Sequence, residues 1–154
     1  MIWSSKVGKL RERERLLELV GLGGHEKVLD VGCGRGLLLN GAARRLTKGK
    51  AVGIDIWNKQ DQSGNDPDVT RANARIEGVA ERVKIVDGDA RSMPFADNDF
   101  DVVVSSLAIH NIPGSEERYL AISWRARGGT SSCTCGHNQW HPCCRPGHLQ
   151  PAKR

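Results

Sequence analysis

The sequence predicts an α/β domain built on a parallel sheet with flanking helices. Three observations carry this. An apolar run, Lys27-Val-Leu-Asp-Val31, breaks into alternate glycines at Gly32, Gly34 and Gly36 and then into a helical stretch. A second apolar run ends on an acid, Asp55, roughly 20 residues past the glycines. Strand-like and helix-like segments then alternate as βαβαβ, which demands parallel strands with right-handed crossovers.

Taken in order, Lys6–Val20 reads as an amphipathic helix. Val7, Leu10, Leu17 and Val20 lie on one side, Arg and Glu residues form a solvated face, and Ser4 or Ser5 is a candidate cap. Lys27–Val31 is the first strand and Leu37–Leu46 the helix after the glycines. A strand, a loop without side chains and a helix N-terminus form a nucleotide-binding corner, because the backbone turns sharply and a ligand must approach it closely. Ala51–Ile56 is the second strand, Pro67–Glu77 a helix with Pro at its start, Arg82–Val86 the third strand. Phe100–Ile109 is nearly continuous in apolar residues, as expected of a strand covered on both faces. Trp57 and residues 58–66 make a long connection after the second strand, read either as a lid or acceptor loop or as a tolerated insertion.

Composition narrows the class. At 154 residues the chain is one domain with no apolar stretch long enough to span a bilayer and no secretory signal. The expectation is a cytoplasmic protein without a membrane partner. The net charge of +5 comes entirely from residues 125–154, since residues 1–124 hold 18 basic and 18 acidic side chains. A nucleic-acid partner is therefore not expected. Four of the five cysteines also lie in residues 125–154. Cys133, Cys135, His137, His141, Cys143, Cys144 and His148 follow no structural zinc spacing, so no metal is expected.

The set Val28-Leu-Asp-Val-Gly-Cys-Gly-Arg-Gly36, Gly53-Ile-Asp55, Gly88-Asp-Ala90 with Met93-Pro-Phe95, and Phe100-Asp-Val-Val-Val-Ser-Ser106 resembles the class I S-adenosylmethionine-dependent methyltransferases in order and spacing. The resemblance covers about residues 7 to 123. It implies a Rossmann-like sheet and S-adenosyl-L-methionine as cofactor, with a small molecule as methyl acceptor. Asp30 and the loop Gly32, Cys33, Gly34 and Gly36 would hold the methionine part. Asp55 would take the ribose hydroxyls, and Ile56 would pack on the adenine. Asp89 would accept from the adenine amino group while the Ala90 amide donates to the ring; Ser105 is counted with these cofactor residues. The competing dinucleotide fingerprint puts two residues before its third glycine, whereas one, Arg35, stands here, and it leaves Asp89 and Ala90 without a role. His110, directly after the fourth strand, is read either as a proton acceptor for the acceptor group or as a positioning or solvated histidine. Cys33 itself reads as a small packing residue.

The resemblance stops near Ser123, where such proteins continue with Lys-Pro-Gly-Gly and a fifth apolar strand. Read from the third base of each codon, residues 126–135 permit Pro-Gly-Gly and an apolar strand. The expectation is thus an incomplete sheet of strands 1–4 only. Residues 1–123 form the cofactor-binding part, and residues 124–154 a disordered, out-of-frame tail with Leu149 as the sole Val, Ile, Leu, Met or Phe. Strand 4 would then be an open edge through which copies self-associate. Methyl transfer is the first functional expectation, and a cofactor-binding chain without turnover the second.

Overall fold

The computed structural model describes residues 2–58, 64–106, 112, 116–117 and 131–134. Five parallel strands run through it: β1 (Lys27–Val31), β2 (Lys50–Asp55), β3 (Val83–Asp87), β4 (Val102–Ser106) and β5 (Ser131–Thr134). Among the described residues α1 (Ile2–Val20) precedes β1, α2 (Leu37–Arg45) joins β1 to β2, and α3 (Pro67–Ile76) joins β2 to β3 through a 3₁₀ turn at Ala80–Arg82. The sheet order is β3-β2-β1-β4-β5. β1 sits in the middle, paired with β2 from Lys27↔Lys50 to Val31↔Ile54 and with β4 from Val28↔Val102 to Asp30↔Val104.

Strand periodicity sorts the apolar residues onto two faces. Val28, Ala51, Val102 and Val104 meet Leu38, Leu39, Ala42, Ala43 and Leu46 of α2, with Leu16 and Leu17 of α1 behind them. Leu29, Val31, Val52 and Ile54 face the other way, against Met93 and Phe100. Phe95 and Phe100 meet edge to face at 4.9 Å on that side.

Two expectations change at the ends of the chain. The first helix starts at Ile2, so Ser4 and Ser5 lie within it and not ahead of it. Its buried stripe contains Arg13, Leu16 and Leu17, while Leu10 is exposed. Arg13 is no solvated charge. Its Nη1 donates to Glu77 Oε2 at the end of α3 (3.0 Å) and its Nε to Glu14 Oε1 (2.9 Å), so burial is matched by two charge-assisted bonds.

The second change concerns the sheet, which does not stop at four strands. Ser131–Thr134 pairs with β4 from Val103↔Ser131 to Ser106↔Thr134. That edge of β4 is therefore covered by this chain's own residues, and the premise for self-association through it falls. The segment lacks apolar side chains, but strand pairing is made by backbone N–H and C=O groups, which Ser-Ser-Cys-Thr supplies. The rest of the expected tail, with its cysteines and histidines, lies outside the described residues. Among the described residues no helix is long and apolar enough to cross a membrane.

Candidate functional site

The carboxyl ends of β1, β2 and β3 converge on one corner, where an open parallel sheet receives ligands. At its centre is the loop after β1. Gly32, Gly34 and Gly36 all take positive φ, +70°, +49° and +84°. That conformation is open to glycine and strained for other residues, which is why all three positions lack a side chain. The loop is bonded to β2: the Gly32 and Cys33 amides donate to the Ile54 carbonyl (2.8 and 3.2 Å). Gly53 allows this approach, since a Cβ there would lie 2.7 Å from both Cys33 Sγ and Leu39 Cδ2.

Asp30 is the last inward-facing residue before the loop and is fully buried. The Leu39 amide, in the first turn of α2, donates to its carboxylate, but Oδ2 has no partner among the described residues. Burial pushes its pKa up to about 7, the Leu39 bond opposes this, and the nearby Asp55 charge adds to the rise. Cys33 is buried beside it. Burial first, then the Asp30 and Asp55 charges, hold its thiol far above the usual range. This is the packing role its position suggested.

Asp55, at the tip of β2, is held by three donors. Oδ2 accepts from the Gly34 amide (2.8 Å) and Oδ1 from the Trp57 amide (2.8 Å) and from Asn65 Nδ2 (3.1 Å). The acid and the glycine loop, separate motifs in sequence, are thus one hydrogen-bonded unit. Ile56 beside it is 56% exposed, a large apolar side chain at the mouth of the corner. Trp57 adopts φ +56°, unusual for so bulky a residue, and its Nε1 donates to Asp87 Oδ1 (2.6 Å).

Asp89 follows β3 and is clamped by Arg91. Arg91 Nε lies 2.9 Å from both carboxylate oxygens, Nη2 donates to Oδ2 (2.5 Å), and the Arg91 amide donates to Oδ1 (2.8 Å). These bonds hold the Asp89 carboxyl below the usual carboxylate range. Arg91 Nη1 also reaches Glu117 Oε1 at 3.4 Å. Ala90 is half-buried against the Val31 and Ile54 side of the core. Ser105 Oγ donates to the Val31 carbonyl (2.8 Å), tying β4 to the strand end that feeds the glycine loop. His110 lies outside the described residues.

The sequence reading missed the part played by α3. Thr70 Oγ1 donates to the Gly34 carbonyl (2.6 Å) and Asn73 Nδ2 to the Arg35 carbonyl (2.9 Å). With Asn65 on Asp55, the segment from Asn65 to Asn73 holds both the loop and the acid. The available signal was the recurrence of polar residues at Asp66, Thr70 and Asn73, one face at helical spacing.

What this corner can do follows from its donors and acceptors. It offers a dry carboxylate, a loop with glycine at every second position, a second carboxylate fixed at the loop's edge, an apolar surface and a third carboxylate. That set suits a ligand with a cationic group, a diol and a flat heterocycle.

Comparison with known proteins gives the family. Residues 29–127 match the family model described as a methyltransferase domain. A sterol 24-C-methyltransferase from Gibberella zeae is 36% identical over 117 residues, covering 73% of this chain and 28% of that protein. A demethylmenaquinone methyltransferase from Staphylococcus aureus is 30% identical over 102 residues, covering 66% of this chain and 39% of that protein. Among solved structures, a protein from Bacillus halodurans described as a methyltransferase superposes with TM-score 0.66 at 28% identity, over 80% of this chain and 50% of its own. The chain thus spans well under half the length of these two curated relatives.

Proposed function

Starting from the fact that the chain belongs to the methyltransferase family, we propose that it binds S-adenosyl-L-methionine at the β1–β2–β3 corner and moves the methyl group to a small-molecule acceptor. The observation that carries this is the bond from the Gly34 amide to Asp55 Oδ2, which makes the loop and the acid a single cradle. The residues present fit the group. Asp30 supplies a buried carboxylate oxygen without a partner among the described residues, suited to a nearby positive charge. Asp55 is fixed for a diol, and Ile56 exposes apolar surface for a ring.

When bound, S-adenosyl-L-methionine supplies a methyl group already activated by its sulfonium charge. The chain's task is therefore alignment and exclusion of water, and catalysis of this kind is mostly proximity and orientation. The Gly32–Gly36 loop sets the closest approach of backbone to ligand. Asp30, ionised by a neighbouring cation, orients that end of the ligand. Asp55 fixes the other end by charge-assisted bonds to hydroxyls. Asp89, although bonded by Arg91 at both oxygens, keeps lone pairs with which to accept from a ring amine, and Arg91 competes for them.

The relatives' names, a sterol and a demethylmenaquinone methyltransferase, support an apolar small molecule as the acceptor class. The test uses S-adenosyl-L-methionine carrying a labelled methyl group with a panel of sterols, quinols and small phenols. Transfer to one of them, lost in Asp55→Ala, supports the proposal. Cofactor binding without transfer to any panel member would favour the second reading, a chain that binds the cofactor without turnover. No binding would overturn the proposal.

A further inference from the structure

We infer that Asn65 is a positioning residue for the cofactor site, acting through the Asp55 carboxylate; this rests on the reading of Asp55 as the acid that grips the ribose. Asn65 lies just before α3, is only 4% exposed, and reaches back over ten residues of sequence to β2. Its Nδ2 donates to Asp55 Oδ1 at 3.1 Å and, more weakly, to the Asn58 carbonyl at 3.4 Å. Its own carbonyl, Oδ1, is buried with no hydrogen-bond partner among the described residues. A buried amide whose acceptor is unsatisfied is a poor device for stability. The half that does bond is the donor, and its stronger bond goes to the acid.

The surroundings show what that bond does. A carboxylate turns freely about its last torsion unless both oxygens are held. Gly34 holds Oδ2, and the Trp57 amide holds Oδ1 from the residue two positions on. Both come from backbone close to the site. Asn65 adds a third donor from a different element, the lead-in to α3. Asp66 caps that helix by accepting from the Asp68 amide (2.8 Å), and Thr70 pins it to the Gly34 carbonyl. Asn65 is thus anchored through its own helix to the same loop that Asp55 holds, and the three donors fix the plane of the carboxylate before a ligand arrives. Pre-orientation of this kind reduces the ordering that binding must impose.

The test is a double-mutant cycle on binding of S-adenosylhomocysteine, read by calorimetry, with thermal unfolding recorded for each variant. Asn65→Ala is expected to weaken binding about three- to tenfold, and Asn65→Asp, which keeps the shape but replaces the donor by an acceptor, by more. In the Asp55→Ala background, Asn65→Ala is expected to change affinity less than about twofold, because the group it positions is gone. A purely structural residue would weaken binding equally in both backgrounds, and that result overturns the inference. So does unchanged affinity in Asn65→Ala where Asp55→Ala alone weakens binding. If Asp55→Ala itself leaves affinity unchanged, the assignment of the acid fails, and the inference with it.

Discussion

Replacing Asp30 with Asn should make the ligand-free protein more stable and the cofactor site worse. Asp30 is fully buried, with one oxygen that has no partner among the described residues and a pKa raised from 3.8 to about 7. A carboxyl whose folded pKa is raised favours the folded state fully below its unfolded pKa. That advantage fades as pH rises through the folded value. The window here is pH 3.8 to about 7. Asn mimics the protonated acid in shape and charge and does not titrate. Its advantage over the native residue should therefore be well under 1 kcal/mol at pH 4, about 2 kcal/mol at pH 5 and about 4 kcal/mol at pH 8. For a chain of this size the last figure corresponds to a rise in Tm of about 10 °C. Urea denaturation of both proteins across pH 4 to 8 reads the difference directly. A difference that stays flat with pH, or an Asn variant less stable at pH 8, would show that Asp30 is not a dry carboxylate with one oxygen unpartnered. The same variant should bind S-adenosyl-L-methionine more weakly at pH 8, where the native carboxylate is ionised. Unchanged binding would remove Asp30 from the site.

Other substitutions probe separate parts of the structure. Gly8→Ala, in the interior of α1 with nothing within 4 Å of the new Cβ, should stabilise by about 0.5–1 kcal/mol in chemical denaturation. Gly49→Ala should destabilise markedly more, because its Cβ would meet backbone of His25 and Glu26, and a neutral result would mean that this approach relaxes freely. Glu77→Ala, which leaves the buried Arg13 with Glu14 alone, should lower stability by about 2 kcal/mol, and an unchanged denaturation midpoint would show that α1 docks without that pair. Arg91→Ala frees the Asp89 carboxylate and should tighten S-adenosylhomocysteine binding about twofold in calorimetry, whereas weaker binding would make Arg91 a ligand contact and not a competitor.

The central sheet was legible in the sequence because it is written in local chemistry. The glycines after β1 mark backbone that other residues rarely adopt, and Asp55 and Asp87 mark strand ends by breaking apolar runs. Cys33 was readable as packing from its size and its place in the loop. What escaped the sequence depends on contacts between distant segments. Arg13 looked like part of a charged face because its partner, Glu77, lies 64 residues away. Asn65 was legible only as part of a long connection, a lid or acceptor loop or a tolerated insertion, because nothing local reveals that its amide returns to Asp55. β5 escaped because Ser-Ser-Cys-Thr carries no apolar pattern, and its pairing with β4 is made by backbone. The bond from the Ser105 hydroxyl to the Val31 carbonyl, which ties β4 to the strand end before the glycine loop, spans 74 residues and has no local signal either.

The most direct measurement is calorimetric titration of the native chain and of Asp55→Ala with S-adenosylhomocysteine, and of the native chain with NAD. The expected result is one-to-one binding of S-adenosylhomocysteine by the native chain, weakened by about 1–3 kcal/mol in Asp55→Ala, with no binding of NAD. Equal affinity in the two proteins, or tight NAD binding, would contradict the assignment of the glycine loop and Asp55 as an S-adenosyl-L-methionine cradle.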